Sequence, residues 1–275
     1  MPGSEILAAQ AAQQLDDLTV VIAHACAQIS AISPAAVVQR TKPDESPVTS
    51  ADEASEAALL HGLARVLRGV PVISEESPQA GKNFDPRDSF VVIDPLDGTR
   101  EFLAGTDEFT VNLAIVTHGV PIAGIIAAPK RGQIWRGVVG VKAERLHLMP
   151  DGGDRAQTIQ SRCWPDGGAV AAVSRSHMDA STDSFLAALG PVTRVPSGSA
   201  IKFCQVAEGT VDIYPRLATT CEWDVAAGHA LVVAAGGIVT GPRGKALAYG
   251  RVKENFRVPA FIAWGDARKA AEAGC

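Results

Sequence analysis

A chain of 275 residues that is 47% hydrophobic and 20% charged can bury one large core or two modest ones, and its formal net charge of −5 argues against a basic surface that coats a nucleic acid polymer. Five cysteines without a CxxC pair, six scattered histidines without HxH or HExxH, and no apolar run of roughly 18 residues argue against a disulfide scaffold, a zinc site and a transmembrane segment. A local pocket for a nucleotide is compatible with this balance, and with no secretory signal before the first predicted helix a reducing cytoplasm is the simple location.

Residues 4 to 31 have the alanine-rich amphipathic pattern of a helix opened by Ser4. Thr41 to Ser50 reads as a polar loop. Ser50-Ala51-Asp52-Glu53 has the form of a capping box, serine at the cap and glutamate three later, for a helix running to about Arg68. Gly69-Val70-Pro71 ends that helix, and Val72-Ile73 leads into Ser74-Glu75-Glu76. Phe90 to Asp94 predicts a strand. Phe109 to His118 and Ile122 to Ala128, around a Gly119-Val120-Pro121 turn, predict an antiparallel pair, continued by Gln133 to Val139 and Lys142 to Leu148. The Gly/Asp-rich stretch Pro150 to Ala156 is the expected boundary between an N-terminal α+β part, 1–150, and a C-terminal α/β part, 151–275. In the second part Ala169 to Ser174 and Val211 to Tyr214 read as strands. Ala180 to Leu189, Gly198 to Glu208 and the strongly apolar Trp223 to Ala235 read as helices, the last ended by Gly236-Gly237. This order predicts an α/β (α+β) architecture.

Four acidic clusters sit where predicted elements start or end: Asp52, Glu75-Glu76, Asp94 with Asp97, and Glu222 with Asp224. Each has a bland explanation. Acids in a first turn favour the helix dipole, a Glu-Glu pair is usually solvated, and Asp-Pro or Asp-Gly usually marks a turn. Yet all lie beside very apolar segments that converge on one core, so their carboxylates can meet at its edge. Carboxylates held close together repel unless cations are bound, and hard oxygen donors suit Mg²⁺. The centre of this pattern is Val91 to Phe102, a β-prone run that delivers Asp94 and Asp97 into a Gly98-Thr99 turn.

These motifs resemble the lithium-sensitive, magnesium-dependent phosphatase superfamily that includes inositol monophosphatase. Its signature is an Asp, a Glu-Glu pair, Asp-Pro-Ile/Leu-Asp-Gly/Ser-Thr, and Trp-Asp followed after eleven residues by Gly-Gly. Asp52, Glu75-Glu76, Asp94 to Thr99, Trp223-Asp224 and Gly236-Gly237 match it in order, with the eleven-residue gap Val225 to Ala235 intact. Within the superfamily the chain is most similar to the 3′(2′),5′-bisphosphate nucleotidase branch. The residues that carry this are Arg100-Glu101-Phe102, Val173 to His177, Gly198 to Phe203, Ala207-Glu208-Gly209, Asp212 to Arg216, and Glu222 before Trp223.

The resemblance implies a layered α-β-α-β-α sandwich of the inositol monophosphatase/sugar phosphatase type. It implies two or three Mg²⁺ per site held by Glu75, Asp94, the Leu96 carbonyl, Asp97 and Asp224, with Glu76 a weaker candidate because it alternates away. Thr99, paired with Asp52, is expected to orient and activate the attacking water. Gly98 and Thr99 are expected to meet the phosphate, with Asp224 beside the leaving oxygen. Ser176, His177, Ser199, Lys202 and Arg216 are the expected substrate contacts. The implied reaction is removal of the 3′-phosphate of adenosine 3′,5′-bisphosphate, and of its 5′-phosphosulfate relative, with Li⁺ as an inhibitor. An inositol 1-phosphate or sugar phosphatase, and a non-catalytic phosphate-binding regulator, are the alternatives. The sequence leaves open a homodimer and a loose peripheral association with the inner membrane. Trp135, Trp164 and Trp264 read as packing residues, and Gly241 to Lys245 as a turn.

Overall fold

The computed structural model describes residues 6–41, 47–78, 84–175 and 179–274. Its organising element is the strand Ser89–Asp97, buried along nearly its whole length. Phe90 and Val92 enter one hydrophobic core and Val91 and Ile93 the opposite one. A strand covered on both faces has apolar residues at every position, which is why this run does not alternate in the sequence.

Seven strands follow one another across the first sheet in chain order: Val72–Ser74, Ser89–Asp97, Thr110–Thr117, Val120–Ala128, Gln133–Val138, Lys142–Met149 and Gly152–Thr158. The first two are parallel and the rest antiparallel. Helices α1 (Ala8–Ser30) and α2 (Ser50–Val66) cover one face, through Leu15, Leu18, Ile22, Leu59 and Leu63. The second sheet has five strands, in the order Val192–Ser197, Ala169–Ser174, Ile213–Arg216, Phe261–Trp264, Ile238–Thr240; the first three are mutually parallel and the last two pair antiparallel.

A short helix, α3 (Thr99–Leu103), follows the strand that carries the two aspartates. Helix α4 (Ala180–Ala188) and helix α7 (Ala267–Glu272) pack on the outer face of the second sheet, where Leu186 and Ala270 meet Ala171, Ile213 and Trp264. Helices α5 (Ile201–Ala207) and α6 (Glu222–Ala234) lie between the two sheets. Phe203, Val225 and Leu231 share a core there with Phe90, Val116 and Ile126 of the first sheet and Tyr214 and Phe261 of the second. The layers run α1/α2, seven-stranded sheet, α5/α6, five-stranded sheet, α4/α7, which is the expected α-β-α-β-α sandwich.

Several boundaries differ from the sequence reading. The expected opener of the first helix, Ser4, lies outside the described residues. The hairpin turn is His118-Gly119, with φ of 52° and 71°, because Val120 and Pro121 already pair with Thr117 and Val116. The Gly/Asp-rich stretch after Met149 opens one more strand rather than separating two parts. Gly152–Thr158 pairs with Lys142–Met149, so the passage between sheets falls between Thr158 and Ala169. Trp264 is fully buried beside Trp164 and Phe185, as expected of a packing residue.

Candidate active site

Helix α2 begins one residue earlier than its sequence suggests. Thr49 is the cap, and its hydroxyl accepts from the Ala51 N–H at 3.1 Å. The reciprocal acid is Asp52, whose Oδ2 accepts from the Thr49 N–H at 2.8 Å and from the Thr49 hydroxyl at 2.6 Å. Glu53 is exposed and pairs with Arg40 instead. Two overlapping boxes were available, and burial selects the one whose acid faces inward. The other oxygen of Asp52, Oδ1, accepts from the Thr99 hydroxyl at 3.1 Å, which joins α2 to the start of α3. Burial raises the Asp52 carboxyl above its ordinary value, against the lowering effect of these hydrogen bonds.

Asp94 and Asp97 are three positions apart, so a regular strand would point them to opposite faces. A register shift between them removes the conflict. Asp94 Oδ1 accepts from the Leu96 N–H at 3.1 Å, and Asp97 Oδ2 from Thr110 Oγ1 at 3.2 Å and Asn112 Nδ2 at 3.4 Å. The Leu96 carbonyl lies 3.4 Å from the Thr99 hydroxyl. At the start of α6, Asp224 Oδ2 accepts from the Cys221 N–H at 2.9 Å and from the Thr220 hydroxyl.

Carboxylate oxygens of Asp94, Asp97 and Asp224 all lie within 4.8 Å of one another. Burial, then the charges of Glu75, Asp97, Asp224 and Asp52, hold the Asp94 carboxyl well above the usual carboxylate range. Burial and then Asp224 raise Asp97 as well. Asp94 Oδ2 is buried without a hydrogen-bond partner among the described residues. A buried, unsatisfied carboxylate oxygen among like charges is costly in a protein without a compensating cation. The donor set is all oxygen and anionic, so the residues fit hard divalent cations.

The site opens into a cavity of about 250 Å³ walled from both parts of the chain: Glu75, Asp97, Gly98 and Thr99 on one side, and Ser199, Lys202, Arg216 and Asp224 on the other. Lys202 is buried, donates from Nζ to the Ser199 carbonyl at 2.6 Å and the Ser197 carbonyl at 3.2 Å, and lies 5.1 Å from the Tyr214 ring centre. Burial lowers it to about 8, against the pull of Asp97. Ser199 turns its hydroxyl onto two backbone carbonyls, those of Asp97 and Glu108. Glu76 lies in the wall of a neighbouring cleft, away from this cavity. Ser176 and His177 lie outside the described residues.

Three partners were not found from the sequence. Thr49 and Thr220 hold the two helix-borne aspartates, and a threonine just ahead of each Asp-bearing helix start was the available signal. Arg175 grips Glu108 through Nε at 2.8 Å and Nη2 at 2.9 Å, across 67 residues of sequence, with no local signal at all. Glu222 was grouped with the acidic clusters, but it is fully buried and accepts from the Gly250 and Arg251 N–H groups at 2.7 and 2.8 Å. It pins a loop and stays out of the cluster formed by Asp94, Asp97 and Asp224.

The chain is similar to known proteins. The chain is 39% identical over 221 residues to the 3′(2′),5′-bisphosphate nucleotidase CysQ of Escherichia coli K12, covering 80% of this chain and 86% of that one. Against the CysQ of Haemophilus influenzae identity is 30%, covering 82% of each chain. The crystal structure of CysQ from Bacteroides thetaiotaomicron, a bacterial member of the inositol monophosphatase family, superposes with a TM-score of 0.75 at 32% identity, covering 91% of this chain and 97% of that one. An inositol monophosphatase from Thermotoga maritima has a TM-score of 0.76 at 21% identity and covers 95% of each chain, which shows the shared fold. Residues 6–269 match the family pattern as a whole, from the first helix through the acidic cluster to α7, and the chain belongs to the inositol monophosphatase family.

Proposed function

We propose that this protein is a Mg²⁺-dependent phosphomonoesterase that removes the 3′-phosphate of adenosine 3′,5′-bisphosphate and of its 5′-phosphosulfate relative. The observation that carries the reaction class is the convergence of Asp94, Asp97 and Asp224, with an Asp94 oxygen buried and unpartnered among the described residues. The substrate rests on the similarity to the CysQ nucleotidases. Glu75, Asp94, the Leu96 carbonyl, Asp97 and Asp224 would hold the cations. When bound, such cations make a water more acidic and neutralise charge on the phosphoryl oxygens.

The chain's own groups do the rest. Thr99 donates its hydroxyl proton to Asp52 Oδ1, so its oxygen is left as an acceptor for the attacking water. As that water loses a proton to Thr99 Oγ1, the threonine proton passes to Asp52, whose raised affinity for protons suits it to receive one. Gly98 and Thr99 offer backbone N–H groups to the phosphate. Lys202 and Arg216 supply positive charge for the second phosphate on the opposite wall, and by the family resemblance Ser176 and His177 would contact the sugar and base. In this division of labour the N-terminal part holds most of the metal ligands, and the C-terminal part supplies Asp224 and the substrate contacts. Li⁺ competing for a cation position is expected to inhibit.

Phosphate release from adenosine 3′,5′-bisphosphate and from inositol 1-phosphate, measured side by side with Mg²⁺, tests the assignment. The bisphosphate is expected to be the preferred substrate. A preference for inositol 1-phosphate would overturn the nucleotidase reading, and no Mg²⁺-dependent turnover of any phosphomonoester would overturn the enzyme reading.

A further inference from the structure

Ser199 is one of a few residues other than glycine with positive φ, at 47°. A side chain in this region is costly unless something holds it there. Its Oγ lies 2.9 Å from the Asp97 carbonyl oxygen and 2.7 Å from the Glu108 carbonyl oxygen, so one hydroxyl proton is shared between two acceptors of the N-terminal part, 102 and 91 residues away. The fit is close. A Cβ on Gly98 would fall 2.3 Å from Ser199 Oγ, and a Cβ on Gly198 would fall 2.7 Å from the Glu108 carbonyl. Glu108 is itself held by the two-pronged grip of Arg175, which also donates to the Pro196 carbonyl at 3.1 Å. Two glycines, one serine and one ion pair therefore lock a turn of the C-terminal part onto the Asp97-Gly98 turn.

The Asp97 carbonyl belongs to the same planar, trans peptide unit as the Gly98 N–H, so the two groups point in opposite directions. Fixing one aims the other. We infer that Ser199 is a positioning residue: through the Asp97 carbonyl it orients the Gly98 N–H toward the phosphate, and Glu108 with Arg175 keeps Ser199 in place. This rests on the phosphatase reading for its effect on rate, but not for its effect on the peptide. The hydroxyl is committed to backbone, so Ser199 acts on the substrate indirectly, while Lys202, one turn on, keeps its charge for the second phosphate.

The test uses Ser199→Gly and Ser199→Ala in the full chain. Glycine removes the hydroxyl and also relieves the positive φ, so folding stability stays near that of the parent. The expected result is a fall in kcat for adenosine 3′,5′-bisphosphate of about 10- to 100-fold in both variants, the range for a misaimed transition-state donor, with KM and the Mg²⁺ requirement little changed. A second readout needs no activity: in metal-free protein the Gly98 amide resonance is expected to move in Ser199→Gly, while resonances on α1 stay in place. Parent-like kcat, or a fall in kcat with an unmoved Gly98 resonance, would overturn the assignment. If the parent protein proved inactive on every phosphomonoester, the functional reading would fall, and the Gly98 resonance alone would decide whether Ser199 sets this peptide.

Discussion

Helices α2 and α6 open with the same device and use it differently. Each carries an aspartate at its third position, and each aspartate gives Oδ2 to a cap N–H and to a threonine hydroxyl. In α2 the threonine is the cap itself. In α6 the cap is Cys221 and the hydroxyl comes from Thr220, one residue earlier. What differs is what each carboxylate meets beyond its own helix start. α2 covers an outer face of the sheet, and Asp52 meets a single hydroxyl, that of Thr99. α6 is wedged between two sheets, and Asp224 meets two further carboxylates. A local capping motif therefore fixes where a carboxylate sits, and the layer into which the helix packs decides its chemistry.

The largest expected effect tests the acidic cluster that Asp224 of α6 joins. Asp94→Asn is expected to lower kcat by about a thousandfold or more, since bound cations supply several kcal/mol of transition-state stabilisation. In chelator the same variant is expected to melt at a higher temperature than the parent, because a charge leaves the buried acidic cluster. A lower melting temperature in chelator would show that the cluster is not strained without cations.

The second effect contrasts the buried helix with the outer one. His229 on α6 is buried against the Tyr249 hydroxyl, at 2.9 Å, and burial lowers it to about 4 from 6.5. Between those values the unfolded chain binds a proton that the folded chain refuses. The contribution is therefore fully present above pH 6.5 and is lost as pH falls toward 4, to a total of about 3 kcal/mol. Urea titrations from pH 7 to 4 are expected to show this slope in the parent and a shallower one in His229→Gln. Equal slopes would remove His229 from the account.

The smallest effect separates the two threonines. Thr220→Ala is expected to raise the Mg²⁺ concentration for half-maximal activity by about 10- to 100-fold, as for lost partners of metal ligands. Thr49→Ala is expected to cost about 1 kcal/mol of stability as a lost cap and to lower kcat while leaving the Mg²⁺ requirement alone. If both variants shift the Mg²⁺ curve alike, the two helix starts do the same work.

Much of this site is legible in the sequence because its parts are local. The strand ending in Asp94 and Asp97 and the apolar run of α6 announce themselves by composition, and Ala169–Ser174 is found to the residue. The start of α2 is misplaced by one residue because Thr49 and Ser50 are both good caps, and only burial of Asp52 decides between them. The strand Val192–Ser197 escapes because it is mostly exposed or half-buried, with no clean alternation to read. The grip of Arg175 on Glu108 and the contact of Ser199 with Asp97 depend on segments that only the fold brings together, and no window on the chain contains both partners.

Helix α6 has one more consequence, for how the molecule comes apart. From Val225 to Val232 every residue is buried, against the seven-stranded sheet on one side and the five-stranded sheet on the other. A helix apolar all round is stable only where both faces are covered. Neither sheet covers it alone, so the packing predicts a single cooperative unfolding transition for both sheets in urea, in which Asp224 leaves the other acids.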